Sequence, residues 1–169
     1  MIDYMEYFIR LSVGLTGFTR DAIAPQIDPI DIKTVYLQVF RKNLANGMAD
    51  QIIANYYGLN QAEGGQDKNQ EAIAGALLAG TYPDEVLALR QLIYLWYMGA
   101  WPTVLYDQSP THGQTFSAIV SATSYTQGLV WRVMQSHPMG YSPFTFGYWS
   151  QPPGSLSSFG VNTGNGGGE

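Results

Sequence analysis

The sequence predicts a mainly α-helical protein: a single domain of five or six helices followed by a long, irregular, aromatic C-terminal arm. Three observations predict it. Apolar residues recur at spacings of three and four through most of the first hundred positions, as one face of a helix requires. Capping residues and glycines stand at the ends of those runs. Beyond Trp101-Pro102 the period lapses into Ser, Thr, Gly and Pro, with no internal repeat and no second compositional block. At 169 residues the chain is of one-domain size, and a domain that long buries about 70% of the surface its unfolded form exposes. Residues 1–153 therefore read as one helical domain, including an arm over 137–153, and residues 154–169 as a flexible Gly/Ser-rich tail.

Asp3 is placed to cap a first helix that runs to about Thr16, with Met5, Phe8, Ile9, Leu11 and Leu15 on one side. Gly17 stops it. Gly14 and Gly17 fit close helix packing and a C-terminal stop, since Gly14-Leu15-Thr16-Gly17 ends a helix where a phosphate cradle would open one. Asp28-Pro29 reads as the next start, because Asp accepts from free first-turn amides and Pro needs no donor at the first helical position. Ile32, Val35, Tyr36, Val39, Phe40 and Leu44 follow at helical period until Asn46-Gly47 interrupts them. A further helix over 48–57 carries Ile52, Ile53 and Tyr56 and stops at Gly58. Residues 58–70 read as a polar loop and 71–79 as a short Ala-rich helix ended at Gly80. The longest helix, 84–98, buries Val86, Leu89, Leu92, Ile93, Trp96 and Tyr97. Short extended pieces are expected at 104–106 and 116–120, then a last helix over 121–135 bearing Leu129, Val130, Trp131 and Met134.

Composition narrows the function. A formal charge of -5, with only eight Lys and Arg dispersed along the chain, argues against nucleic acid, whose binding rests on clustered cations. Charged residues make up 12% of the chain and aromatic ones 14%, so much of the surface is neutral; an interface is one reading of that, and a coat of Gln, Asn, Ser, Thr and Gly is the other. Cysteine is absent, which removes disulfides, thiolate chemistry and Cys-based metal sites. The longest apolar run, LIYLWYMGAW over 92–101, is about half of what a membrane span needs. Asp3 and Glu6 stand where an export signal carries positive charge, and no twin-arginine pair occurs.

Motifs for chemistry are sparse. The two histidines, His112 and His137, stand alone in Pro- and Gly-rich surroundings, without the spacing of a zinc site. No G-x-S-x-G elbow occurs, and the acids Asp28, Asp31, Asp84 and Glu85 fall at predicted helix starts, where capping accounts for them. We expect no catalytic, cofactor-binding or metal-binding residue in this chain. Contact chemistry is plentiful instead. Trp96, Tyr97 and Trp101 crowd a helix end with too little room for all to face inward, and Trp131, Arg132, His137, Tyr141, Phe144, Phe146, Tyr148 and Trp149 follow in the arm. Large rings with polar tips suit interface centres. These eleven residues are the candidate partner interface; packing of the arm on this domain's own core is the competing reading.

Three segments in order carry a resemblance: FIRLSVGLTGF over 8–18, LIYLWYMG over 92–99, and YTQGLVWRVMQSHPMGYSPFTFGYWSQPP over 125–153. They resemble the early L-S-x-x-L-T-G element, the A-W-Y-x-G element, and the Y-x-x-A-L-x-x-R helix with its G-Y-W-x-x-P loop of one family. That family is the small subunit of bacterial membrane-bound, FAD-dependent sugar and polyol dehydrogenases, including the D-sorbitol, D-fructose and glucose dehydrogenase complexes. The resemblance implies an accessory subunit and not an enzyme. FAD and the substrate base belong to a large subunit of the glucose-methanol-choline oxidoreductase type, and electrons pass on to a multihaem cytochrome c subunit or another acceptor. It also implies help with maturation and export of the large subunit, and a periplasmic location, membrane-associated through the complex. Two departures stand out: the chain shows no twin-arginine signal, and it lacks the cysteine some members carry, so no disulfide to the large subunit can form. Read from the residues alone, a self-standing carbohydrate- or flavin-binding domain and a homo-oligomeric structural protein remain as alternatives.

Overall fold

Asp3 begins the first helix as its chemistry predicts: its Oδ1 accepts the Glu6 amide at 3.1 Å, opening α1 (Tyr4–Thr16). Gly17 closes it in the left-handed region, φ 72°, returning its N–H to the Val13 carbonyl. The computed structural model describes residues 1–65, 67, 69–106, 113–140 and 155–161. A single turn, α2 (Arg20–Ile23), follows, too short to show a period in the sequence. The next helix, α3 (Ile32–Asn43), starts at Ile32 and not at Pro29. Asp28 caps a tight turn ahead of it instead, accepting the Asp31 amide at 2.7 Å and the Lys33 ammonium at 2.6 Å.

Asn46-Gly47 separates α3 from α4 (Met48–Ala62), as expected, but Gly58 does not end α4. The buried stripe of Ala49, Ile52, Ile53 and Tyr56 continues one turn further through Asn60, a polar residue that hides the period. Much of the predicted 58–70 loop is therefore helix. α5 (Gln70–Leu78) and α6 (Pro83–Met98) match their predicted places, with Pro83 at the head of α6 and Gly99, φ 64°, behind it. The face α6 buries is Ala88, Leu89, Leu92, Leu95 and Trp96, so the stripe is rotated away from Val86 and Ile93, which are half-buried.

α1 is the central helix, packed against α4, α5 and α6. A side chain at Gly14 would place its Cβ 2.3 Å from the Gln70 carbonyl oxygen, so glycine is what lets α1 touch the start of α5. The core is unusually aromatic. Phe8, Tyr36, Phe40 and Trp96 meet there, Tyr36 and Trp96 edge-on at 4.7 Å between centroids. The mainly α prediction holds; the structure adds one small sheet.

That sheet is an antiparallel hairpin, β1 (Ala100–Tyr106) and β2 (Gly113–Ile119), pairing Ala100 with Ile119 and Tyr106 with Gly113. It is longer than the two predicted extended pieces. The single helix expected over 121–135 is split into α7 (Ala122–Thr126) and α8 (Val130–Val133), because the chain turns at Gly128 to lie against the end of α6. A Cβ at Gly128 would sit 2.7 Å from the Tyr97 carbonyl oxygen. Beyond, Leu156–Phe159 forms a 3-10 helix, and Val161 pairs with Phe18 in a β-bridge. This part of the predicted tail is thus tied back to the α1–α2 junction, where the Thr19 amide donates to the Gly160 carbonyl at 2.8 Å. Among the described residues no helix is long and apolar enough to cross a membrane.

Candidate partner interface

The end of α6 is the joint on which the C-terminal third is built. Helix ends leave carbonyls unpaired, and here neighbouring elements take them: Leu129 N–H donates to the Trp96 carbonyl and Val120 N–H to that of Gly99, both at 3.0 Å. The Ser124 hydroxyl donates to Gly99 as well, at 2.9 Å. Ser121 and Ser124 cap α7 reciprocally, each side chain accepting the other's amide, which holds Ser124 in place for that bond. Tyr36 reaches across from α3 to donate to the Ser124 carbonyl at 3.3 Å.

This joint consumes the first predicted interface residues. Trp96 is 1% exposed, and its indole N–H donates to Ser12 Oγ at 2.9 Å; it is a core residue. Trp101 is buried against Phe40. Tyr97 is half-buried, its ring against Phe18 and its hydroxyl donating to the Thr16 carbonyl at 2.9 Å, and burial raises its pKa. The room that spacing alone denied these three is supplied by α1, α3 and residue 18, elements of this same chain. Trp96 and Trp101 are therefore corrected from partner contacts to internal packing.

Trp131, Arg132 and His137 lie in the C-terminal third, partly buried. Trp131 stands edge-on to Tyr125 and donates its indole N–H to the Tyr125 carbonyl at 2.7 Å. Arg132 lines a cleft with Thr19, Asp21, Ser157 and Ser158, and desolvation lowers its pKa. His137 Nδ1 is 3.1 Å from the Pro138 carbonyl oxygen. Tyr141, Phe144, Phe146, Tyr148 and Trp149, like His112, lie outside the described residues.

The structure leaves large apolar residues exposed that residue type alone did not single out. Phe116 and Ile119 on β2 are 53% and 59% exposed, and Val133, Met134 and Met139 are exposed after α7. Met98, the last residue of α6, is exposed as well. Phe116 and Ile119 are three apart, so they stand on opposite faces of the strand. The hairpin is anchored at its base, where Ala100, Trp101 and Pro102 are buried and Gln91 Nε2 donates to the Pro102 carbonyl at 3.0 Å. The exposed apolar residues of β2 carried a signal in the sequence, a run without charge, but no period to say which face meets water.

The helical body carries ion pairs on its surface. Glu6 gathers Arg10 at 2.8 Å and Arg20 at 2.6 Å, and its pKa is lowered, chiefly by the hydrogen bond from Arg20. Arg10 also meets Asp67 at 3.1 Å. Among the described residues no group of three or more His, Cys, Asp or Glu is placed to hold a metal ion. Among the described residues the Tyr56 hydroxyl is buried with no hydrogen-bond partner, and burial pushes its pKa up to about 12. No protein-family model, curated protein or solved structure matches the chain.

Proposed function

We propose that this protein is the non-catalytic small subunit of a heteromeric FAD-dependent sugar or polyol dehydrogenase. It stabilises a flavoprotein large subunit of the glucose-methanol-choline type and assists its maturation and export. In this reading FAD sits in the large subunit, a multihaem cytochrome c subunit or another acceptor takes the electrons, and the assembly works in the periplasm at the membrane. One observation carries the protein-contact part: Phe116 and Ile119 are exposed on opposite faces of β2 in the β1–β2 hairpin. A lone two-stranded hairpin is marginal in water, and large exposed apolar residues without a covering element favour a partner. The identity of that partner rests on the three sequence segments that resemble the small-subunit family.

A subunit that binds only the native flavoprotein stabilises it by mass action, without chemistry of its own. The test is co-expression. With the wild-type chain the large subunit should co-purify yellow and fully flavin-loaded, and with the Phe116→Ser/Ile119→Ser double variant co-purification should fall by about tenfold or more, as truncation of interface anchors does. Full flavin loading of the large subunit expressed alone would reject the maturation role; unchanged capture by the double variant would reject the hairpin as the contact.

A further inference from the structure

Between α2, α8 and the 3-10 helix lies an open cleft of about 410 Å³, lined by Arg132, Thr19, Asp21, Ser157 and Ser158, with Gly160 at its wall. Three features set it apart from an ordinary surface groove. First, Arg132 is partly buried, yet its guanidinium makes no hydrogen bond and no ion pair among the described residues, unlike Arg10, Arg20 and Arg41, each of which holds a carboxylate. Desolvation is what lowers its pKa. A cation withdrawn from water without an acceptor is costly unless something supplies one.

Second, among the described residues the Thr19 hydroxyl beside it makes no hydrogen bond either, and it does not cap α2. Ser157 and Ser158 are engaged within their own turn, with Ser155, so Thr19 and Arg132 are the uncommitted donors of the cleft. Third, Gly160 brings those two donors around one gap. It sits at φ 80°, and the Cβ it lacks would lie 3.3 Å from Thr19 Oγ1 and 3.8 Å from Arg132 Nη1. Any other residue would be strained there and would fill the space between them; it would also press within 2.8 Å of Ala22 Cβ.

We propose that this cleft binds the carboxylate of a small organic acid, held by the Arg132 guanidinium and the Thr19 hydroxyl. The planar guanidinium fork matches a carboxylate in two parallel bonds. Charge weighs against a doubly charged phosphate: among the described residues the Asp21 carboxylate lines the same cleft as Arg132, and it repels a dianion more strongly than a monoanion. The cleft is far larger than a carboxylate alone, which leaves volume for the organic part of the acid. The proposal is independent of the partner reading, since it needs only this chain.

The test is a titration of the full chain with acetate, and separately with inorganic phosphate, at constant ionic strength and followed by NMR. The Arg132 Nε–Hε and Gly160 amide resonances should shift and saturate with acetate, and phosphate at pH 7.5 should bind more weakly. Arg132→Gln should weaken acetate binding by about tenfold or more, the scale of a lost charge-assisted hydrogen bond. Asp21→Asn should tighten it severalfold. If Arg132→Gln loses its far-UV circular dichroism, Thr19→Val decides in its place, with a weakening of about threefold expected. Shifts that stay linear in acetate, phosphate binding tighter than acetate, or unchanged affinity in Arg132→Gln or Thr19→Val would each overturn the proposal.

Discussion

Trp96 and Phe116 stand some twenty residues apart and show two ways of using a large ring. Trp96 is 1% exposed, packed against Phe8 and Tyr36, with its one polar atom bonded to Ser12. Phe116 is 53% exposed on a hairpin. The first belongs to the helical body of α1 and α3–α6, where aromatic side chains meet one another and fill a core at crystal-like density. The second belongs to the C-terminal third, where short elements hang from the end of α6 and apolar side chains meet water. The difference teaches where each region gets its stability. The body is held by burial; the C-terminal third is joined to it at the end of α6 and at the α1–α2 junction, and several of its apolar side chains stay exposed. Changes in the body should therefore act on global stability, and changes in the C-terminal third on local order and on binding.

The largest expected effect is at Trp96. Trp96→Ala empties the centre of the core and leaves Ser12 Oγ without the indole donor, and should destabilise the protein by about 3–5 kcal/mol. Urea unfolding followed by circular dichroism measures it. A loss under about 1 kcal/mol would mean that Trp96 lies at a rim and that the contrast with Phe116 is false.

Next comes the joint between the regions. Gly99→Ala places a side chain at φ 64° and drives its Cβ to 2.1 Å from the Ser124 carbonyl oxygen. Strain and overlap together should cost about 2–3 kcal/mol, and the cost should fall on one side. Hydrogen exchange should quicken at Val120, Tyr125 and Leu129, whose amides are bonded at or near the joint, while α1 and α4 amides keep their protection. Equal quickening in both regions would show that they unfold as one unit.

How much of this was legible beforehand follows the same division. In the body, Asp3, Gly17 and Asn46-Gly47 each announce a helix boundary through chemistry that acts within a few residues, and the structure uses them so. Gly14 was legible as a packing glycine for the same reason. Where local chemistry had two uses, the sequence misled: Asp28 caps a turn and not a helix, and Asn60 continues a buried stripe that a polar residue appears to end. The candidate interface was less legible because burial is a tertiary fact. Trp96 and Phe116 are both plausible anchors as residue types, and only the packing of α1 and α3 around Trp96 separates them. Nor could spacing show that Gly160 brings Thr19 and Arg132 together, since those residues are far apart in the chain.

Within the body itself the contrast has one flaw, Tyr56, whose buried hydroxyl has no partner. Removing an unpaired buried polar group is neutral or stabilising, so Tyr56→Phe should raise stability by up to about 1 kcal/mol. Its linkage has a definite sign. The folded-state pKa is raised from 10.0 to about 12, so the unfolded chain releases its proton first and stability falls as pH rises from about 10 through about 12. Tyr56→Phe should flatten part of that alkaline loss. Tyr36, raised further by its burial, keeps the rest. Destabilisation by Tyr56→Phe at neutral pH would mean that the hydroxyl has found an acceptor and that the body is fully satisfied.

The smallest effect lies on the body's surface, at Glu6. Its carboxylate is held by hydrogen bonds from Arg20 and Arg10, so its folded-state pKa lies below the ordinary 4.5. A depressed carboxylate contributes stability that is present above its unfolded value and is lost as pH falls through its folded one. Arg20 is partly exposed and solvent screens the cluster, which limits the contribution to about 0.5–1 kcal/mol. Glu6→Gln should thus cost that little at pH 7 and nothing at pH 2. In 1 M salt, where the screening length shrinks to about 3 Å, the difference at pH 7 should narrow. A cost as large as that of Trp96→Ala would place an electrostatic clamp, and not aromatic burial, at the centre of the body's stability, and the contrast with the C-terminal third would have to be drawn in charge instead of in buried area.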